Sequence, residues 1–232
     1  MSYSGIILGR TGLINYWRLG DAASPYADSG PGGLSLADNG AFNPGGASLL
    51  DSDPANASVT GTAGAAGGAL SSAGSYTWAS GACSIEAWIY PTTSTAFNIG
   101  IAGAWLASGA MLLIGLVGTN NLRFYTGATA LDFSFVCSVN TRYHIVGTYD
   151  GTDRRGYVDG SLVAGPTAGS DPGSTPGNFM VGNYNSSGQN GFIGRIDEVS
   201  TYSVALSASD VAASYAAGIA SAVLGSSRSI VF

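Results

Sequence analysis

The chain has 232 residues, a net charge of −6 and only 9% charged residues, against roughly 25% in an average soluble protein. Its eight basic residues are all Arg and are scattered, and its 14 acids include only two Glu, so the concentrated cationic surface that nucleic-acid binding requires is missing. A 45% hydrophobic fraction with 12 Tyr, 8 Phe and 4 Trp outweighs the 36 Gly and excludes bulk disorder, while the excess of Gly, Ser, Thr and β-formers excludes long helices.

The opening MSYSGIILGR has no basic n-region, and its apolar run stops at Arg10, so no signal peptide is expected. GLINYWRLGD reads as a strand that breaks at Gly20-Asp21. From there to Gly74 the chain is turn-rich, and TGTAGAAGGALSSAG reads as a low-complexity loop. SIEAWIYP then alternates Ile85, Ala87 and Ile89 against Glu86, Trp88 and Tyr90, with Pro91 as the stop. NIGIAGAWLASGAMLLIGLVG is long and apolar enough to raise a membrane span. Its glycines and the Asn120-Asn121 turn that follows fit short apolar strands better.

LDFSFVC places Leu131, Phe133, Phe135 and Cys137 on one face. RYHIVGTYDGT runs into an Asp150-Gly151 turn, and RGYVDGSLV reads as a hairpin through Asp159-Gly160. NGFIGRIDEVSTY is a strand whose alternation changes phase, which a bulge near Asp197 explains. The run Leu206-Ser207-Ala208-Ser209-Asp210-Val211 starts a helix over 206–218, with Ser207 as N-cap, a Leu206–Val211 staple and Gly218 at C′. Two cysteines, Cys83 and Cys137, are too few for a disulfide framework and read as buried free thiols. These elements predict an all-β fold, an antiparallel two-sheet jelly-roll sandwich with one short C-terminal helix. A single domain fills 1–218, and 219–232 forms a tail.

INYWRLGD followed by ADSG, then SIEAWIYP, RYHIVGTYDGTDRRGYVDGSLV and GFIGRIDEVSTYSVALSASDVAASYAAG, occur in an order and spacing that resemble the laminin G-like, concanavalin A-like jelly-roll superfamily. The resemblance is to its stand-alone bacterial and phage type. It implies two antiparallel sheets of about six or seven strands with neighbouring termini. It implies no particular activity, because the fold hosts lectins, glycosidases and structural modules. Trp17, Trp88 and Tyr149 read as core aromatics, and the lone His144 as a hydrogen-bonded structural residue. One His, two distant Cys and no GxSxG supply neither a serine triad nor a zinc site.

Glucan-cleaving relatives carry paired carboxylates in an E-x-D-x-x-E pattern, and neither Glu86 nor Glu198 belongs to one. A non-enzymatic protein is therefore expected. The resemblance does imply a structural Ca²⁺, held by Asp197, with Asp21 and carbonyls of the Gly20-Asp21 turn as further oxygen ligands. The plain alternative is that Asp197 pairs with Arg195 or caps a bulge. Trp105, Asn183, Tyr184 and Asn185 are candidate carbohydrate-binding residues, since aromatic faces and amides suit a pyranose.

The favoured role is a bacteriophage virion surface protein, a capsid decoration or minor tail component, whose partners are major capsid or tail proteins and a host or environmental glycan. The alternatives are a bacterial lectin or adhesion module and a glucanase-like enzyme. The tail residues Val223, Leu224, Ile230, Val231 and Phe232 either pack back on the same sandwich or dock on a neighbouring subunit, and docking, with a homotrimer as the assembly, is expected.

Overall fold

The computed structural model describes residues 1–40, 42–62, 69–72, 74–76, 81–94, 99–103, 112–173, 177–183 and 191–221. The chain opens with α1 (Tyr3–Leu8), β1 (Leu13–Trp17), β2 (Leu36–Asp38), β3 (Phe42–Ala47), β4 (Ala57–Gly61) and β5 (Leu70–Ser72). It continues through β6 (Cys83–Pro91), β7 (Ile99–Gly103), β8 (Leu112–Val117), β9 (Asn121–Thr126) and β10 (Thr129–Val136). The last elements are β11 (Tyr143–Tyr149), β12 (Asp153–Val158), β13 (Ser161–Ala168), β14 (Met180–Val181), β15 (Gly194–Tyr202) and α2 (Ala208–Ile219).

The strands form two antiparallel sheets. One has the order β13-β12-β11-β6-β15-β4-β3, with β1 also on β15, and the other the order β10-β9-β8-β7-β14-β5-β2. The alternation read from the sequence sets the layers. Cys83, Ile85, Ala87 and Ile89 of β6 meet Ile114, Leu122, Phe124, Leu131 and Phe133 of the second sheet in one core, together with Trp17 and Tyr149. Both cysteines are free and buried, and burial pushes each thiol up to about 12. Gly147 and Gly156 lie where the phenylalanines press hardest. A Cβ at Gly147 would sit 2.4 Å from Phe124 Cδ2, and one at Gly156 would sit 2.4 Å from Phe133 Cε1.

Local signals hold where chemistry is strong. Asp159 (φ 49°) and Gly160 (φ 78°) both adopt positive φ in the β12–β13 turn, as a two-residue hairpin demands. The pairing of β15 with β6 shifts between Asp197 and Ser200, with Glu198 at φ 52°, which is the expected bulge. Ser207 and Asp210 form a reciprocal capping box at the start of α2. Two details differ. Helix α2 runs on to Ile219, so Gly218 lies inside it; a Cβ there would meet Trp88 Cζ2 at 2.3 Å, and the glycine serves close packing. The opening residues also form a helix, α1, capped by Ser2. None of the described helices is long and apolar enough to cross a membrane.

These two helices close the outer face of the first sheet. Tyr3 and Ile7 of α1 join Trp88, Leu49, Leu50 and Ala217 in one cluster, and Val211 of α2 joins Val146, Tyr157 and Tyr202 in another. At the centre of this covered face sits Glu86, with no solvent exposure. Its Oε1 accepts from the Tyr3 hydroxyl at 3.0 Å and lies 2.9 Å from His144 Nε2. Its Oε2 accepts from the Tyr202 hydroxyl at 3.0 Å. Arg10 completes the closure, its Nη1 2.7 Å from Asp210 Oδ1 and its Nη2 donating to Ser214 Oγ at 2.8 Å. Burial alone would raise the Glu86 pKa. The hydrogen bond from His144 and the charges of His144 and Arg10 outweigh it and hold the carboxyl below its ordinary 4.5.

Two outcomes follow. Gly147→Ala forces Phe124 out of place and is expected to cost about 1–3 kcal/mol, read as a lowered urea midpoint at unchanged m-value. Glu86 has a folded-state pKa below its unfolded one, so its contribution is present above about pH 4.5 and is lost as pH falls further. Glu86→Gln is expected to cost roughly 3–5 kcal/mol near neutrality and to flatten the fall in stability between about pH 5 and pH 3. Parallel wild-type and variant pH profiles would contradict this.

Candidate functional site

With the central strands β6, β11 and β15 of the first sheet buried on both faces, the outward side of β9 and β10 in the second sheet is the next surface to consider. Along β9 the residues alternate, with Leu122, Phe124 and Thr126 buried and Asn121, Arg123 and Tyr125 half-buried on the outer side. The β9–β10 register sets Asp132 directly opposite Arg123 and Ala130 opposite Tyr125. Cross-strand opposition of unlike charges brings the two side chains together. Arg123 grips Asp132 with two hydrogen bonds, from Nε to Oδ1 and from Nη2 to Oδ2 at 2.9 Å. Its Nη1 donates to the Tyr125 hydroxyl at 3.1 Å, and its guanidinium carbon lies 5.7 Å from the Tyr125 ring centre.

The Arg123 hydrogen bond holds the Asp132 carboxyl below its ordinary range, and the same pairing raises Arg123. Asp132 keeps 48% of its side chain in solvent. The result is a rigid strand-borne surface that presents an aromatic ring beside a fixed, doubly hydrogen-bonded charge pair. Such a surface can stack on an apolar sugar face and offer donors and acceptors to hydroxyl groups.

The second polar cluster surrounds the β15 bulge. Asp197 and Glu198 are both fully buried. Asp197 Oδ2 accepts from Leu49 N at 2.9 Å. Glu198 accepts from the Tyr16 hydroxyl and from Arg18, which also pairs with Asp53 at 2.6 Å. Three oxygens converge on Asn56 Nδ2: the Arg18 carbonyl at 3.3 Å, Asp197 Oδ1 at 3.3 Å and Glu198 Oε1 at 3.0 Å. Burial pushes Glu198 up to about 7; burial and the Glu198 charge also raise Asp197. The Asn56 amide nitrogen fills the point where these oxygens meet, and Arg18 already supplies a cation to Glu198. Among the described residues no group of three or more His, Cys, Asp or Glu could hold a metal ion.

The sequence-predicted residues divide accordingly. Asp197 sits in the cluster, and Asp21 does not join it. Asp21 is exposed and accepts from Ala27 N at 2.8 Å, although neighbouring Gly20 packs against Asn56. Arg195 does not pair with Asp197; it lies 4.3 Å from the Tyr90 ring centre and donates to Ala47 O at 2.8 Å. Asn183 is fully buried, while Trp105, Tyr184 and Asn185 lie outside the described residues. The Arg123–Tyr125–Asp132 set was not among the expected residues. Its signal was the i, i+2 spacing in NLRFYT, which puts Arg and Tyr on one strand face.

Comparisons with known proteins agree with this architecture. The sequence profile of the concanavalin A-like lectin/glucanases superfamily matches residues 63–212. No curated protein matches the chain. Domain 4 of the extracellular arabinanase AbnA from Geobacillus stearothermophilus, solved with arabinotriose, is similar with a TM-score of 0.64 and 18% identity, covering 88% of this chain and 98% of that one. Trypanosoma rangeli sialidase in complex with sialic acid has a TM-score of 0.65 and 15% identity, covering 92% of this chain but 36% of the sialidase. The binding domain of Paraclostridial Mosquitocidal Protein 1 has a TM-score of 0.58 and 17% identity, over 88% of this chain and 52% of that one. The chain thus spans a whole domain of the arabinanase and only about a third of the sialidase. At these identities the structural likeness concerns the fold, and the sequence match carries the family: the chain belongs to the concanavalin A-like lectin/glucanase superfamily.

Proposed function

We propose that this protein is a non-catalytic glycan-binding sandwich carried on the surface of a bacteriophage virion, as a capsid decoration or minor tail component. The glycan-binding part is carried by the Arg123–Tyr125–Asp132 surface on β9 and β10. It is supported by the family match and by similar domains solved with arabinotriose or belonging to a sialic-acid-bound sialidase. The non-catalytic part is supported by the state of the two glutamates. Glu86 and Glu198 are buried and spend their oxygens on structural donors, whereas glycoside hydrolysis needs two carboxyl groups flanking a bound sugar. The virion setting rests on the resemblance of the opening residues YSGIILGRTGLINYWRLGD to phage proteins of this type.

A structural Ca²⁺ belongs to the same reading. Asp197, Glu198 and the Arg18 carbonyl would hold it once the Asn56 amide that now donates to them moved aside, and its charge would relieve two buried carboxylates.

Glycan-array screening followed by calorimetric titration of the best oligosaccharide tests the binding surface. Tyr125→Ala is expected to weaken binding roughly tenfold, the loss of about 1.4 kcal/mol, without a change in melting temperature. Unchanged affinity would overturn the assignment of this face. No turnover is expected on β-glucans, xylans or peptidoglycan, and hydrolysis that disappears in Glu86→Gln or Glu198→Gln with the fold intact would overturn the non-catalytic reading. Mass spectrometry of purified virions separates a virion protein from a bacterial lectin using the same surface. For calcium, addition is expected to raise the melting temperature of wild type over an EDTA-treated sample. Asp197→Asn should remove that rise, and identical melting with and without calcium would exclude the ion.

A further inference from the structure

Most of the described arginines are matched by an acid or an aromatic ring. Among the described residues, Arg10, Arg18, Arg123, Arg142 and Arg155 each pair with an acid, and Arg195 lies over Tyr90. Arg154 has no acid partner, yet only 3% of it is exposed. Its Nη2 donates to Ala168 O at 2.7 Å. Its Nε and Nη1 are buried without any hydrogen bond. All 14 Asp and Glu side chains of the chain lie among the described residues, and none of them pairs with Arg154. The nearest in sequence, Asp150 and Asp153, belong to Arg155.

The direction of the side chain follows from its strand. Gly156 and Val158 share its parity on β12, and both face the inter-sheet core at Phe133. Arg154 therefore points between the sheets at their end. Residues 169–171 form a strap across this end. Gly169 N donates to Thr152 O at 2.9 Å, and Ser170 Oγ donates to Thr126 O at 3.0 Å. The strap passes Arg154 at a glycine: a Cβ at 169 would stand 2.9 Å from Arg154 Cγ, 3.0 Å from its Nε and 2.9 Å from Tyr149 Cε2. Thr126 Oγ1, held under the same strap, is a second buried polar atom without a hydrogen bond. Ala168 and Asp171, on either side of Gly169-Ser170, are exposed, so the site lies just beneath the surface.

A buried cation with most of its donors unused is costly to leave unmatched, and guanidinium donors match oxyanions in charge and in geometry. We propose that Arg154 is an oxyanion site, taking a carboxylate or sulfate group at this end of the sandwich, either as a free anion or as part of an acidic sugar. It stands apart from the Tyr125 surface and does not depend on that reading.

Thermal melting of the full chain at fixed ionic strength tests it, replacing sodium chloride with sodium sulfate or sodium glucuronate at low millimolar concentration and using glucose as the neutral control. Wild type is expected to show a saturable rise of about 5 °C with an oxyanion and none with glucose. A rise with both anions identifies the acidic-sugar source, and a rise with sulfate alone identifies a free anion. Arg154→Met should lose the rise and, without added anion, melt no lower than wild type, because an unpaired buried charge has been removed. Tyr125→Ala should keep the rise in full. No rise in wild type, or an equal rise in Arg154→Met, overturns the proposal. Should Arg154→Met fail to fold, the Nε–H resonance of Arg154 in wild type decides: it must shift on titration with sulfate, and its constancy would overturn the proposal.

Discussion

A carboxylate buried at the centre of a sheet has to be surrounded by donors, and Glu86 meets that requirement by drawing on three separate parts of the chain. Tyr3 arrives from the N-terminal helix, His144 from β11 and Tyr202 from the last strand. Leaving any of these donors out would expose a buried charge to an unmatched environment, whose cost is several kcal/mol. The position of α1, the pairing of β6 with both neighbours and the approach of α2 through Arg10 are thereby linked. The first sheet becomes the middle layer of three, apolar on its inner face and closed by helices on its outer one.

That closure decides where recognition can occur. Outward residues of β6, β11 and β15 are buried, so the lone His and both Glu are removed from solvent. The second sheet has no described helix on its outer side, and β9 and β10 alternate between buried and accessible residues. With so few charges in the chain, each one there has a defined partner. The Arg123–Asp132 pair is held across two strands by register, so its orientation is fixed before any ligand arrives. A preorganised surface of this kind loses little freedom on binding.

Much of the sandwich was legible because period-two alternation has one physical cause, and SIEAWIYP and LDFSFVC show it cleanly. The Asp159-Gly160 hairpin and the Ser207–Asp210 box were legible because each depends on contacts a few residues apart. The N-terminal helix was not, since six residues with little helical periodicity are stabilised mainly by Tyr3 and Ile7 packing on distant residues. Gly218 was read as a helix stop, whereas its reason is the Trp88 ring more than a hundred positions away. The site was the least legible part. Arg123 and Tyr125 are ordinary residues in a strand until the hairpin sets Asp132 opposite them, and Arg154 is distinguished only by partners it lacks. Asp197 was found through the phase change in its strand, but its companions Glu198, Asn56 and the Arg18 carbonyl come from three places in the chain.

The central claim is that the outward residues of β9 and β10 bind glycan while the acids of the covered sheet serve the fold. Hydrogen–deuterium exchange of the intact protein, with and without a saturating oligosaccharide chosen from the array, reads both halves at once. Added protection is predicted along β9 and β10, residues 121–136, with no change around Glu86 and His144 beneath the helices. Protection that appeared instead beneath α1 and α2, with β9 and β10 unaffected, would contradict the account.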